Sequence, residues 1–287
     1  MLKLIVCMKQ VPMVSELPWD SRTGTLKREL AEGMMNPACR HALEAALHLK
    51  HRCGAHITAL TMGPPMAEEI LREAAAMGAD RGILLSDPRM AGADTFVTSH
   101  TLARAIEKEC ADFDLILCGC YTSDSETAQV GPQLAEELNI PGVAYAENLE
   151  LRGHCLRIQR ESDDFLETLE MDLPGLVTLT TRSFSPRYPS LGGLQDAFDQ
   201  ADILCLTADD LQLEEEKTGL KASPTKILKV YSPAAEKKNI VLKGAVKKVT
   251  DALFAQFGDR LGAAMGKDMK THDHDSGETE ISGEEEA

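Results

Sequence analysis

The residue types best suited to chemistry are gathered in one stretch, Cys118-Gly-Cys-Tyr-Thr-Ser-Asp-Ser-Glu-Thr-Ala-Gln-Val-Gly-Pro-Gln-Leu-Ala-Glu-Glu-Leu138. It holds four hydroxyls between Thr122 and Thr127 and two acids, Asp124 and Glu126. An apolar run, Asp114–Cys118, precedes it. The helical pattern that follows starts near Glu126. A strand end, a polar loop and a helix start in that order can turn backbone N–H groups and hydroxyls toward a phosphate or sugar. An ordinary strand-to-helix turn uses the same residue types. Other chemistries find less support. The eight cysteines contain no Cys-x-x-Cys pair, which argues against zinc and thioredoxin-like redox work; most are expected to be small buried hydrophobes. His41, His48 and His51 lie near one helical face, but no acid or cysteine completes a metal set. A solvated amphipathic face is expected there, and no metal.

The elements around that stretch alternate. Strands are expected at Leu2–Cys7, Ala55–Met62, Gly82–Ser86, Asp114–Cys118 and Leu176–Thr180. Helices are expected from Asn36-Pro37 to Gly54, over 66–77, over 93–110 and from Glu126 to Leu138. Asn is a good N-cap and Pro fits a first turn, which fixes the start of the first helix. Short apolar strands separated by helices give a doubly wound parallel α/β sheet, Rossmann-like in form. With the order 3-2-1-4-5, strands one and four are neighbours where the order reverses, and ligands bind beyond the carboxyl ends at that reversal. The loops meeting there follow Cys7 and Cys118. Residues 143–172 alternate and form an added β-hairpin and strand, with a turn at Arg152-Gly153. Ser183–Gly193 is rich in Pro, Gly and Ser and reads as a linker. Later strands are expected at Asp202–Leu206 and Thr225–Tyr231, and a helix over Ile240–Leu261. Substitution of Gly131 by a bulky residue is expected to weaken nucleotide binding and leave the fold intact.

The whole chain sets limits. Its 287 residues suit one large α/β domain with an extension. Aromatics make up 4%, so the core should be aliphatic and alanine-rich. The formal net charge of −16 argues against nucleic acid as a partner. Much of that charge falls in residues 267–287, an expected disordered tail where His272 and His274 sit beside acids. The opening segment gives no secretory leader, and no run is long enough to span a membrane. A cytoplasmic protein is expected. The division expected is 1–182 for the nucleotide-binding domain, 183–235 for the linker and an arm, 236–266 for a helix, then the tail.

Cys7-Met-Lys-Gln-Val-Pro12, Met35-Asn-Pro-Ala-Cys39, Ala76-Met-Gly-Ala-Asp-Arg-Gly82, the 118–138 stretch and Pro186-Arg-Tyr-Pro-Ser-Leu191 occur together and in order. Over roughly residues 1–235 the chain resembles the β subunit of electron transfer flavoprotein, the FixA-like family. The resemblance implies an adenine nucleotide in the crevice derived above. The matching positions are Cys7, Asn36, Pro37, Ala38, Cys39, Met62, Asp124, Ser125, Glu126, Thr127, Ala128, Gln129, Val130, Gly131, Pro132, Gln133, Leu134 and Ala135. Amides of the loop would hold phosphate, and Asn36 would cap its helix and approach the ligand.

The resemblance further implies an α subunit that holds the main FAD, residues 183–235 as a recognition loop and a C-terminal arm contacting that subunit, and a partner dehydrogenase of the acyl-CoA or hydroxy-acid type docking at Leu191. No side chain would do acid–base or nucleophilic work. Family β subunits hold either AMP or a second FAD; those with the second FAD split electron pairs from NADH by flavin-based bifurcation. Glu126–Pro132 and Ser223–Lys229 look like the second kind. Met13, where Asp is common, and Tyr121–Ser125 depart from the family pattern. Two other classes remain: an adenylating enzyme, which wants a Gly/Ser-rich loop after strand one that Met8–Val14 does not supply, and a nucleotide-sensing scaffold.

Overall fold

The computed structural model describes residues 1–13, 19–20, 25–26, 33–226 and 240–268. The elements are β1 (Leu2–Met8), β2 (Gln10–Pro12), β3 (Trp19–Asp20), β4 (Thr25–Leu26), β5 (Gly33–Met35), α1 (Pro37–Cys53), β6 (Ala55–Met62), α2 (Glu68–Met77), β7 (Arg81–Leu85), α3 (Thr95–Glu109), β8 (Leu115–Gly119), α4 (Val130–Glu137), β9 (Gly142–Arg152), β10 (Cys155–Ser162), β11 (Phe165–Asp172), β12 (Gly175–Leu179), α5 (Leu191–Gln200), β13 (Ile203–Leu206), α6 (Gly219–Ala222) and α7 (Val246–Asp268). Residues Met1–Tyr231 form one compact unit and Ser232–Ala287 a second. The second contains α7.

The five strands expected in the order 3-2-1-4-5 are found as β7-β6-β1-β8-β12 at the centre of a nine-stranded sheet, β11-β10-β9-β12-β8-β1-β6-β7-β13. From β13 to β9 the neighbours are parallel; β9, β10 and β11 form an antiparallel meander. The central strands are near-continuous apolar runs because helices cover both faces. Side chains alternate between those faces. Leu4, Val6 and Met8 of β1 point into a core shared with α1 and α2, including Leu43, Leu47, Ile70 and Leu71. Ile5 and Cys7 point the other way, into a core shared with α3 and α4, including Leu102, Ile106 and Leu134. No aromatic side chain is fully buried among the described residues, so aliphatic and alanine packing carries the interior.

The helices start and stop where local chemistry directs. α3 is capped by Asp94, whose Oδ1 accepts from the Val97 N–H at 3.0 Å. α1 ends at Gly54 in a left-handed conformation, with Lys50, His51 and Arg52 in its last turn, where cations suit the helix dipole.

Several expectations are corrected. The helix expected from Glu126 begins at Val130, because Glu126 and Ala128 adopt positive φ (51° and 56°) and keep the chain out of helix until then. The linker Ser183–Gly193 leads directly into α5, whose start Ser190 caps by accepting from the Gly193 N–H at 2.9 Å. The loop after β1 carries the β2–β5 antiparallel pair. Helix α7 starts six residues later than expected and runs past Leu261. Most of the strand expected at Thr225–Tyr231 and the tail 269–287 lie outside the described residues.

The segment before α5 is fastened to α1. Arg187 grips Glu44 through Nε and Nη2 at 2.7–3.1 Å, and its backbone N–H adds a bond of 3.0 Å to the same carboxylate. Phe184 stacks on His48 with ring centres 5.1 Å apart. His48 is therefore a packing residue, and the solvated face expected for the α1 histidines is corrected to that extent. A charge-assisted bond of this kind is worth ~1.5–3 kcal/mol. Glu44→Ala should lower stability in urea by about 1–3 kcal/mol and make the Arg187–Tyr188 bond a fast tryptic site in the native protein; unchanged digestion would show that the segment is held by other contacts.

Candidate functional site

The two loops expected to bound the crevice meet where the strand order reverses. Cys7 near the end of β1 sits directly beside Cys118 of β8 in a parallel pair. The chain leaving β1 through Lys9 and the chain leaving β8 through Tyr121 rise side by side from that point. Asn36 joins them. Its N–H donates to the Lys9 carbonyl at 2.9 Å. Its side-chain Nδ2 donates to the Tyr121 carbonyl at 2.8 Å, and its Oδ1 accepts from the Ser123 N–H at 3.0 Å. At 1% exposure this side chain has spent its polar capacity inside the protein. It makes no capping bond to α1, which corrects the expected role: Asn36 is a brace between two loops and not a helix cap.

Lys9 adds a second tie, with Nζ 3.1 Å from Asp124 Oδ2. Burial alone would raise the Asp124 pKa, but the Lys9 charge and hydrogen bonds from Thr122 and Lys9 outweigh it and hold the carboxyl below its ordinary value. Inside the loop, Ser125 N–H and Glu126 N–H turn back to the Thr122 carbonyl, and the Thr122 and Ser125 hydroxyls meet at 2.8 Å. Thr95, opening α3, bonds Gln129 at 2.8 Å and ties the far end of the loop to a second helix.

The loop then enters α4 through left-handed Ala128 and right-handed Gln129. Successive amides in such a pair turn toward a common point and make a concavity suited to an anion. Among the described residues, the N–H groups of Thr127, Ala128, Gln129 and Val130 have no acceptor. These donors at a helix start fit a phosphate.

Cys39, Cys118 and Cys120 are buried at this end of the sheet. Burial raises the pKa of Cys39 and takes that of Cys120 to about 11, and a hydrogen bond with Cys7 together with burial raises that of Cys118. All eight cysteines are free thiols. Gly119 allows the close approach of α1 to β8, since a Cβ there would lie 2.8 Å from backbone atoms of Ala38 and Cys39.

The residues singled out from sequence divide into groups. Asn36, Asp124, Ser125, Glu126, Thr127, Ala128 and Gln129 share the loop or its brace. Val130 is half-buried at the α4 start, Pro132 is exposed and Gln133 is half-buried one turn in. Pro37 is exposed at the start of α1; Ala38 and Cys39 pack beneath. Met62 lies at the end of β6 and packs on the Cys7 side of the sheet. Leu134 and Ala135 face the core, so their side chains hold α4 on the sheet. Gly131 is buried too, and a Cβ there would lie 2.5 Å from Thr178 Cγ2. The expectation that Gly131 accepts a bulky residue without harm to the fold is corrected, because α4 would have to lift off β12. Lys9 and Thr95 went unsingled in the sequence reading; a lysine two residues past the end of a switch-point strand was the available signal for the first. No group of three or more metal-ligating side chains exists among the described residues, and no described helix is long and apolar enough to cross a membrane.

Unpartnered amides in a loop at the reversal point of a doubly wound sheet suit an anionic ligand. The family profile described as electron transfer flavoprotein domain matches residues 23–211. The chain is 39% identical over 259 residues to an electron transfer flavoprotein subunit beta of Thermoanaerobacterium thermosaccharolyticum, covering 90% of this chain and 99% of that one. It is 40% identical to the caffeyl-CoA reductase-Etf complex subunit CarD of Acetobacterium woodii, with 90% and 99% covered, and 35% identical to protein FixA of Azorhizobium caulinodans, with 90% and 94% covered. The chain belongs to the electron transfer flavoprotein family, among its β subunits and FixA proteins. It is an electron-transfer subunit of a flavoprotein.

Two outcomes follow from the geometry. Asn36→Ala leaves the Ser123 N–H and Tyr121 carbonyl without partners and should cost ~1–3 kcal/mol in chemical denaturation, with faster amide exchange at Ser123. Asp124→Asn should cost less than ~1 kcal/mol near neutrality. Because folding depresses the Asp124 pKa, that cost should be full above the ordinary carboxylate pKa and vanish as pH falls through the lower folded value; a cost growing toward acid would contradict the Lys9 pairing.

Proposed function

We propose that this chain is the β subunit of a heterodimeric electron transfer flavoprotein whose crevice holds an adenine nucleotide. The main FAD belongs to an α subunit, and electrons pass between NADH or a dehydrogenase and a partner acceptor. The observation that carries the reading is the pair of loops braced by Asn36 at the switch point, with the 127–130 amides free for phosphate. The nucleotide is a second FAD, in a subunit that takes part in bifurcation; the resemblance of Glu126–Pro132 to that kind, and the similarity to a subunit from a caffeyl-CoA reductase complex, support it.

A bound flavin would supply the electron-carrying ring. The chain's own residues would bind and orient it: the amides of Thr127 to Val130 would meet phosphate, while Lys9 and Asp124 set the loop. The exposed Leu191 supports docking of an acyl-CoA or hydroxy-acid type dehydrogenase.

Acid extraction of the purified αβ complex followed by chromatography is expected to yield two FAD per heterodimer. One FAD and one AMP would identify the simple carrier instead, and no nucleotide beyond the first FAD would overturn the crevice reading. Leu191→Ala should slow electron delivery to the dehydrogenase with flavin content unchanged; undiminished delivery would remove the docking role.

A further inference from the structure

Helix α5 shows an apolar stripe that is exposed among the described residues. Leu191, Leu194 and Phe198 recur at i, i+3 and i+7 and so share one face. They are 87%, 44% and 77% exposed, and Tyr188 just before them is 88% exposed. The opposite face is fixed. Gly193 lies against α2, where a Cβ would stand 2.6 Å from the Ala76 carbonyl oxygen. Arg72 of α2 donates to the Ala197 and Phe198 carbonyls at 3.0 and 2.9 Å, and its guanidinium lies 5.9 Å from the Phe198 ring centre. Arg72 thus satisfies carbonyls at the end of α5 and steadies Phe198 at the edge of the stripe.

The charges beside the stripe run against the helix's own interest. Asp196 and Asp199 lie in its second half and Asp202 just beyond, where the dipole favours cations. All three are exposed, and none is in an ion pair among the described residues. From Tyr188 to Glu216 the sequence has acids but no lysine or arginine. Acids that disfavour the helix and neutralise nothing among the described residues are explained by charge on a partner. They also repel a second copy of the same face.

Resting on the docking reading above, we infer that α5 is a two-anchor dock, Leu191 and Phe198, with an acidic border formed by Asp196, Asp199 and Asp202, and that it fits a dehydrogenase pocket rimmed by lysine or arginine. The apolar anchors supply the contact and the border supplies orientation and encounter rate.

The test uses the purified αβ heterodimer and an acyl-CoA dehydrogenase that it demonstrably reduces, with the dehydrogenase concentration varied at low and high salt. The triple variant Asp196→Asn, Asp199→Asn, Asp202→Asn should raise KM for the dehydrogenase about five- to tenfold at low salt and flatten the salt dependence. Its kcat, flavin content and melting temperature should not fall, since removing acids near a helix end does not weaken the helix. Phe198→Ala should raise KM at every salt concentration. If the triple variant matches the parent while Leu191→Ala and Phe198→Ala are impaired, the acidic border is wrong and the dock stands. If Leu191→Ala and Phe198→Ala are also silent, the docking reading itself is lost. A parent heterodimer that doubles in mass at low salt, and does so through these residues, would make a second copy the occupant and overturn the assignment.

Discussion

The structure turns on the Asn36 side chain. Two loops that leave neighbouring strands, 115 residues apart in sequence at Lys9 and Asp124, need a common reference if they are to form one crevice. A buried amide with a donor and an acceptor on the same group can bond a carbonyl and an N–H of one loop while its own backbone bonds the other. In a site of low dielectric those bonds are strong, and the loss of one leaves a buried group unpaired. Lys9–Asp124 and Thr95–Gln129 then act at positions already fixed. The loop between them needs no regular structure, because its two ends are held by α1, α3 and α4.

The same economy appears in the segment that leads into α5. The Glu44–Arg187 grip and the Arg72 contacts lie on the buried flanks of a short segment, leaving its apolar side chains outward. A pre-ordered helix loses less conformational entropy on association than a flexible loop with the same residues. The segment before α5 rests on the helices of one face of the sheet, Glu44 of α1 and Arg72 of α2, whereas the loop pair draws on both faces: Asn36 precedes α1, and the 121–129 loop runs into α4 on the other side.

Much of this was legible in the residues. Continuous apolar runs such as Leu4–Met8 and Leu115–Cys118 marked parallel strands, and alternation with helices fixed the order around the reversal. That brought the two loops after β1 and β8 together, as the structure has them. Asn36 was noticed for the wrong reason: Asn before Pro is a strong local capping signal, and only tertiary geometry reveals that its bonds run to residues 121 and 123. The start of α4 was misplaced because positive φ at Glu126 and Ala128 has no sequence mark in residues that are not glycine. Helix α5 was hidden because Gly192-Gly193 looks like a breaker, while in the fold Gly193 permits contact with α2. The brace of Glu44 by Arg187 joins residues 143 apart, and no local pattern encodes it.

Sulfur chemistry gives the crevice a durability of its own. Thiolates, not thiols, are attacked by peroxide, and Cys39, Cys118 and Cys120 are all pushed away from the thiolate form. Buried and protonated, these three are poor targets for oxidants, whereas Cys53 and Cys205 stand exposed at the surface and meet them first.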